Sequence, residues 1–470
     1  MIIHEAHYTL KADLITPVSL YRKLRCSNVE SFLMESTDVL AAKNGKSFVG
    51  YQPIAGFKIH NNLCSLNYGS FTKNIILNST NNILSFYKQF YNGLQFATKP
   101  QQINGLFGYC NFDIIPYIEK ISHTNTQPNF KDIAVCNYQL YKYLFVFDHF
   151  KNTMDVIVNL QQGETLDEAK KVIATFAQTQ ISDAVYFEAA TETESNLTDE
   201  AYMAMVQQGI NHCKRGDVFQ VVLSRRYSQK FSGDDFEVYR ELRCINPSPY
   251  LFYFDYLHYK IFGSSPESIL VKNGTQAFIH PIAGTVKRTG NNAADKALAD
   301  ALKIDPKERS EHIMLVDLAR NDLSKHGKQV TVTSFIEPHY YSHLIHLVSE
   351  VTATITSNNN ALGLLTSVYP AGTLSGAPKH KALQIINTLE NEKRSYYGGS
   401  IGIINFEGDI NQAIIIRSFL SKNNILTTQA GAGVVVSSTP QGECNEVKTK
   451  LAAMVKAVEI ATANCKNNNP

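Results

Sequence analysis

Tryptophan is missing altogether from these 470 residues. The eight cysteines include no C-x-x-C pair; scattered in this way they read as reduced thiols, and a cytoplasmic location is expected. None stands in a glycine-flanked nucleophile setting, which argues against a built-in cysteine glutaminase. Neither sign of charge is in excess: the formal net charge is only +2, so there is no polyanion footprint and nucleic acid is not expected as a partner. No apolar run approaches the length that crosses a bilayer. Residues 1–13 carry acids and histidines where a signal peptide would have its apolar core. What remains is a chain with 44% hydrophobic and 18% charged residues, the balance of a globular protein. It is long enough for two or three domains and a large core.

Apolar patterning alternates between the two regular periods. Strand-like runs at 46–51, 74–77 and 141–148 are separated by helical stretches at 18–24 and 83–94. The polar stretch A-A-T-E-T-E-S-N-L-T-D (189–199) reads as a linker, dividing a region 1–190 from a region 195–466. The second region opens with a helix at 199–214. Strands follow at 218–225, 250–254, 261–263, 277–282, 330–335, 346–355, 400–405, 412–420 and 431–436. The glycine-rich loop 369–379 leads into a helix ending near Leu389, and it lacks the spacing of a P-loop. Consecutive strands with scattered helices predict an α+β architecture.

Two helices concentrate acids in apolar surroundings. In D-P-K-E-R-S-E-H-I-M-L-V-D-L-A-R-N-D (305–322), Asp305 suits the N-cap and Pro306 the first helical position, while Glu308 falls where a capping-box acid reaches back. Glu308, Glu311, Leu315 and Ala319 share one stripe, so Glu311 needs a partner, either a bound cation or an ordinary salt bridge. Near the other end, Thr439 and Pro440 open a helix that places Glu443, Glu446 and Lys450 on one face. Acids from two helices suit a hard divalent ion such as magnesium, which takes one or two carboxylates plus an anionic ligand. Lys450 is placed either to hold a substrate carboxylate or to pair with Glu446.

The motifs G-D-V-F-Q-V-V-L-S-R (216–225), S-S-P-E (264–267), P-I-A-G-T (281–285), E-H-I-M-L-V-D-L-A-R-N-D (311–322), P-A-G-T-L-S-G-A-P-K (370–379), Y-G-G-S-I-G (397–402) and G-A-G-V-V (431–435) occur in order, followed by the 443–450 helix. With these, the chain resembles the chorismate-utilising enzymes, and among them the anthranilate synthase large-subunit family, over residues 32 to 451. The resemblance implies two large, mainly antiparallel sheets sandwiched together with helices outside. It implies Mg²⁺ on Glu311 and Glu446 with Glu443 close by, and chorismate as substrate. Glu267 would protonate the leaving C4 hydroxyl, and His346 would serve the removal of the C2 proton. Gln220 stands where water-using relatives carry a lysine base, and Ala283 where aminodeoxychorismate synthases often carry a lysine. Both point to ammonia as nucleophile and anthranilate as product.

By the same carry-over, Ala283, Gly284, Thr285, Thr373, Tyr397, Arg417, Gly431, Ala432, Gly433 and Lys450 would bind substrate. Arg417 would act as a bidentate carboxylate clamp. F-L-M-E-S (32–36) and N-P-S-P-Y (246–250) resemble the segments that form a tryptophan inhibitor site in relatives, implying Glu35, Ser36, Lys46, Pro249 and Tyr250 as its residues. A glutamine amidotransferase subunit is the expected partner, and no membrane is. Other readings on the same residues are aminodeoxychorismate synthase, isochorismate or salicylate synthase, and a ligand-sensing protein whose acids form salt bridges only. The lack of tryptophan suits an enzyme that must be translated when tryptophan is short.

Overall fold

Two long strands, Lys46–His60 and Cys136–Asp148, run antiparallel side by side and belong to two sheets at once. Pro53 has no amide hydrogen to give, and the register between the pair shifts there, between Pro53 and Ala55. On one side of that shift the pair continues through Ser31–Glu35, Tyr250–Asp255, Lys260–Ser265, Ser418–Lys422, Ile425–Val434, Gln220–Gly233 and Phe187–Ser195. Its other edge carries Thr153–Gln161 and Ile2–Lys11. On the far side of the shift the same two strands continue through Gly105–Cys110, Ser400–Asn405, Ile410–Ile414, Ser268–Asn273, Gln276–Ile279, Leu344–Ile355 and Gly327–Tyr340. Ile282–Lys287 also pairs with Leu344–Ile355. Among the described strands only Ile2–Lys11 with Gln95–Phe96 is parallel. The structure, a computed structural model, describes residues 1–36, 45–77, 83–119, 121, 130, 132–179, 186–341, 344–355 and 361–467. The two large, mainly antiparallel sheets expected from the sequence are present.

Period-two alternation sorts the strand residues between two cores. Phe32, Leu144, Ile157 and Phe254 point into an aromatic layer between the sheets, together with Phe107 and Tyr109 of the second sheet. Their chain neighbours Leu33, Phe145, Val156 and Tyr253 point the other way, into the core shared with the helices. Because both faces are buried, these strands read as nearly continuous apolar runs. Phe32 stacks on Phe107 at 4.5 Å and on Phe254 at 4.9 Å between ring centroids. Gly50 makes room for that ring, since a Cβ there would stand 2.0 Å from Phe32 Cε1.

The helix Pro440–Asn467 lies with Asp199–Lys214 and Phe236–Ile245 over the first sheet, and Pro306–Ser324 lies on the strands of the second. Asp305 caps the latter, accepting from the Lys307 and Glu308 amides at 2.9 Å, and Pro306 takes the first position as expected. Thr439 caps the former through the Gly442 amide, at 3.2 Å.

Three local expectations need correction. Glu308 does not reach back to its cap; its carboxylate lies against Gly284, 3.3 Å from where a Cβ would be. Residues 189–199 are not a free linker, because Phe187–Ser195 is an exposed edge strand that, among the described strands, pairs with Gln220–Gly233 alone. Its polar outward side chains hide the strand from a hydrophobicity reading. The single run at 412–420 is two strands, Ile410–Ile414 and Ser418–Lys422, parted where Arg417 adopts φ +48°.

Replacing Gly50 with alanine should displace the Phe32 ring and lower stability by about 1–3 kcal/mol. An unchanged midpoint in denaturant melts would show that the inter-sheet layer relaxes freely.

Candidate active site

The helices Pro306–Ser324 and Pro440–Asn467 bring four carboxylates, those of Glu308, Glu311, Glu443 and Glu446, within electrostatic reach of one another across a cleft. Gln220, 3% exposed at the start of its strand, donates from Nε2 to Glu311 Oε1 at 3.1 Å. Gly433 lies against the same amide, since a Cβ there would stand 2.4 Å from Gln220 Nε2. Burial holds the Glu308 carboxyl above its ordinary value, and the charges of Glu311 and Glu446 add to that effect. Acids from both helices therefore sense one another. Glu443 is raised in the same way, by burial with Glu446 adding, and its Oε2 is buried without a hydrogen-bond partner. Lys450 Nζ bonds Glu446 Oε1 at 2.8 Å and the Gly431 carbonyl at 2.9 Å.

As they stand these acids are not gathered into a ligand cage: among the described residues no three His, Cys, Asp or Glu side chains form a metal-ligating group. Glu446 faces Lys450 and Glu311 faces Gln220. The donor set still fits a hard divalent cation. It consists of carboxylate oxygens only, one is buried and unpartnered, and burial with neighbouring negative charge raises the proton affinity of Glu308 and Glu443.

A second group faces the same cleft. Glu267 follows Pro266 where the strand Lys260–Ser265 ends, and its backbone carbonyl accepts from the Ile414 amide at 2.9 Å. Thr373 Oγ1 donates to Glu267 Oε1 at 3.1 Å. Part of the side chain stays reachable, yet its low-dielectric surroundings push the carboxyl up to about 7, against the opposing pull of Thr373, Lys450 and Arg417. A cavity of about 40 Å³ lies beside it, lined largely by Ile269, Pro281, Leu315 and Leu318. Arg417 donates to Asn246 Oδ1 at 3.2 Å. Its charge reaches both Glu267 and His346.

His346 is 7% exposed, and burial pushes it down to about 4, so it is neutral near pH 7. Its Nδ1 lies 2.9 Å from Thr285 Oγ1 and 3.2 Å from the Gly284 carbonyl. A carbonyl only accepts, so the proton belongs on Nδ1 and the lone pair on Nε2. Lys450, paired with Glu446, and Arg417 both act on Glu267 through their charges, and Arg417 also acts on His346, so groups from distant stretches of sequence lie near one another. Tyr397 is buried, with its hydroxyl 3.1 Å from where a Gly431 Cβ would stand. Ala283 is buried on the strand carrying Thr285, paired across to Leu347. Ala432 turns its methyl into the core, which leaves Gly431 and Gly433 as the cleft-side positions of that strand.

The segments expected to hold an inhibitor also meet. Leu251 pairs with Glu35, and Ser36 and Lys46 lie two residues beyond the Met34–Phe48 pair. Pro249 and Tyr250, both half-buried, begin the adjoining strand. Sequence reasoning missed what holds Glu35: Arg243 donates to both carboxylate oxygens at 2.9 and 3.0 Å, and Tyr239 donates at 2.8 Å. Their spacing of four on the amphipathic stretch 236–245 was the available signal. His280 pairs with Glu350 at 3.3 Å.

A fold of two coupled sheets with this cleft at the meeting of their helices defines a class. The family model described as chorismate binding enzyme matches residues 31–456, and the chain belongs to that family. Within it, the chain is 38% identical over 379 residues to anthranilate synthase component 1 of Aquifex aeolicus, covering 77% of this chain and 76% of that one. It is 34% identical to anthranilate synthase component 1 of Thermus thermophilus, covering 97% and 98%. The crystal structure of anthranilate synthase component I from Streptococcus pneumoniae TIGR4 superimposes with a TM-score of 0.76 at 32% identity, covering 87% of this chain and 92% of that one.

His312, beside Glu311, is fully buried. Its Nε2 lies 2.6 Å from Ser349 Oγ, which accepts from the Ile336 amide at 2.8 Å. Burial holds it at about 4 against an ordinary 6.5. The unfolded chain takes up this proton below pH 6.5 and the folded chain does not. Stability should therefore fall as pH drops from 6.5 toward 4. His312→Gln should flatten that slope in denaturant melts; an unaltered slope would mean that the imidazole titrates normally in the fold.

Proposed function

We propose that this chain is the synthase component of an anthranilate synthase, adding ammonia to C2 of chorismate and eliminating pyruvate to leave anthranilate. The observation that carries this reading is Gln220, a buried amide bonded to Glu311 at 3.1 Å. Activation of water would need a base at that position, and ammonia needs none. Glu311 and Glu446, with Glu443 beside them, would hold Mg²⁺, which supplies charge neutralisation and ring orientation when bound. Arg417 and Lys450 would be the cations that bind the substrate's carboxylates.

Hydroxide leaves poorly, so the C4 oxygen needs a proton as its bond breaks. Glu267 is suited to give it, because with a pKa of about 7 a large fraction is protonated at neutral pH. Thr373 occupies Oε1, which leaves Oε2 to carry the proton. The C2 proton must then go to a base. Neutral His346, with its Nε2 lone pair, is the acceptor; it is a weak base, and aromatisation of the ring supplies the driving force.

The relatives are called component 1, and no cysteine of this chain stands in a nucleophile setting, so ammonia would come from a glutaminase subunit. Tryptophan would inhibit, its ammonium meeting Glu35 between the 32–36 and 246–250 segments. The enzyme would work in the cytoplasm; among the described residues no helix is long and apolar enough to cross a bilayer.

Chorismate with Mg²⁺ and ammonium should yield fluorescent anthranilate and pyruvate, and added tryptophan should suppress that yield. An amino group at C4 would instead make the protein an aminodeoxychorismate synthase, and turnover indifferent to saturating tryptophan would remove the inhibitor site. Glu311→Gln and Glu446→Gln should each lower turnover at least about 100-fold with the fold retained by circular dichroism. Turnover like wild type in either variant, or after chelation of divalent ions, would overturn the metal assignment.

A further inference from the structure

Arg394 lies behind the cleft, its guanidinium 5.9 Å from the centroid of the Tyr397 ring, and it is only 2% exposed and among the largest side chains shut away from solvent. Its guanidinium lies over the Phe112 ring at 4.6 Å. Nε and NH2 donate to the two oxygens of Glu390 at 2.8 and 2.6 Å. NH2 also donates to the Val222 carbonyl at 2.7 Å, and NH1 to the Leu374 carbonyl at 2.5 Å. Glu390 in turn accepts from the amide and the hydroxyl of Ser224, both at 2.8 Å. The pair therefore grips the strand Gln220–Gly233 at three points and the short helix Gly372–Ser375 at one.

Stability alone is a weak explanation, because apolar side chains of like volume generally serve a core as well as a buried ion pair does. A rigid fork that spans two backbone segments does something an apolar side chain cannot: it sets their spacing. Both segments carry groups of the cleft. Val222 lies two residues beyond Gln220 on the same face of its strand, and Leu374 directly follows Thr373, whose hydroxyl bonds Glu267.

We propose that Arg394 is a positioning residue for the reaction, bridging Val222 and Leu374 so that the Gln220 strand and the Thr373 hydroxyl that aims Glu267 keep a fixed separation. The inference rests on the reading of Glu267 as the acid. An acid that must be protonated loses activity as pH rises past its pKa. The charged groups that reach Glu267 are Arg417 and Lys450, with Thr373 as its hydrogen-bond donor. The Thr373 bond favours the carboxylate, so loosening it moves the alkaline limb of kcat/KM upward.

The test compares the full chain with Thr373→Val, Arg394→Lys and the double variant in Mg²⁺- and ammonium-supported turnover of chorismate. It holds free ammonia constant while pH runs from about 6 to about 9. Arg394→Lys should lower kcat about 10-fold or more, as misplacement of reacting groups does, with KM for chorismate within about 2-fold. Its alkaline limb should move up in the direction that Thr373→Val moves it, and the double variant should move no further than Thr373→Val alone. If Thr373→Val moves the limb and Arg394→Lys does not, or if the two effects add, Arg394 is structural only and the reading of Glu267 stands. If neither moves it, Glu267 is not the titrating acid and the inference fails with that reading. Should Arg394→Lys not fold, Glu390→Gln loosens the same bridge while leaving the arginine in place, and the same outcomes decide.

Discussion

Partly buried carboxylates do not come within electrostatic reach of one another unless the fold holds them there. Glu308, Glu311, Glu443 and Glu446 come from helices packed on different sheets, and each sheet is assembled from strands far apart in sequence. The two strands common to both sheets, Lys46–His60 and Cys136–Asp148, set the distance between those layers. The aromatic layer around Phe32 and Phe107 fixes it further. Lys450 and Gln220 then occupy one oxygen each of Glu446 and Glu311. Those two partners offset part of the negative charge there. They also mark what a bound cation would have to displace or share.

Elsewhere in the cleft burial sets two proton affinities apart. Burial acts on both Glu267 and His346, but it raises a carboxylic acid and lowers an imidazole. The result is an acid near 7 and a base near 4, so that at neutral pH each stands substantially in its uncharged form. Such a pairing lets one site give a proton at one ring carbon's substituent and take one at another, the demand of the proposed reaction. Arg417 is tuned by the same setting. Burial lowers its proton affinity while Glu267 restores part of it, so the guanidinium and the carboxyl stabilise each other's charged forms.

How much of this was legible in the chain depended on how local each signal was. Caps were readable, because Asp305-Pro306 and Thr439-Pro440 act within one turn. The helix faces followed from spacing. The fold class followed from the succession of strands, and the two-sheet arrangement from family resemblance. The edge strand Phe187–Ser195 was not readable, since its outward residues are polar and its pairing partner lies far along the chain. Nor was the hold of Arg243 on Glu35, or of Arg394 on Val222 and Leu374, because each joins residues that only tertiary packing makes neighbours. The motifs marked the side chains that face the cleft but not the ones that aim them.

The helix Phe236–Ile245 connects the segments proposed to hold an inhibitor to the proposed catalytic cleft. Tyr239 and Arg243 on it bind both oxygens of Glu35, and Asn246 at its C-terminal cap accepts from Arg417. Arg243 and Asn246 are three residues apart, less than one helical turn. Asn246 is itself fixed, since its amide nitrogen donates to the carbonyl and hydroxyl of Ser264 at 3.3 and 3.2 Å. A ligand that took Glu35 from Arg243 would therefore free a side chain within a turn of the residue that orients Arg417. Arg417 lies in the left-handed region at φ +48°, a conformation that non-glycine residues hold only where surrounding contacts over-determine it. Coupling between distant sites requires an element whose arrangement both can bias. A short helix with an ion pair to Glu35 and a hydrogen bond from Arg417 would meet that requirement for the proposed sites with two contacts.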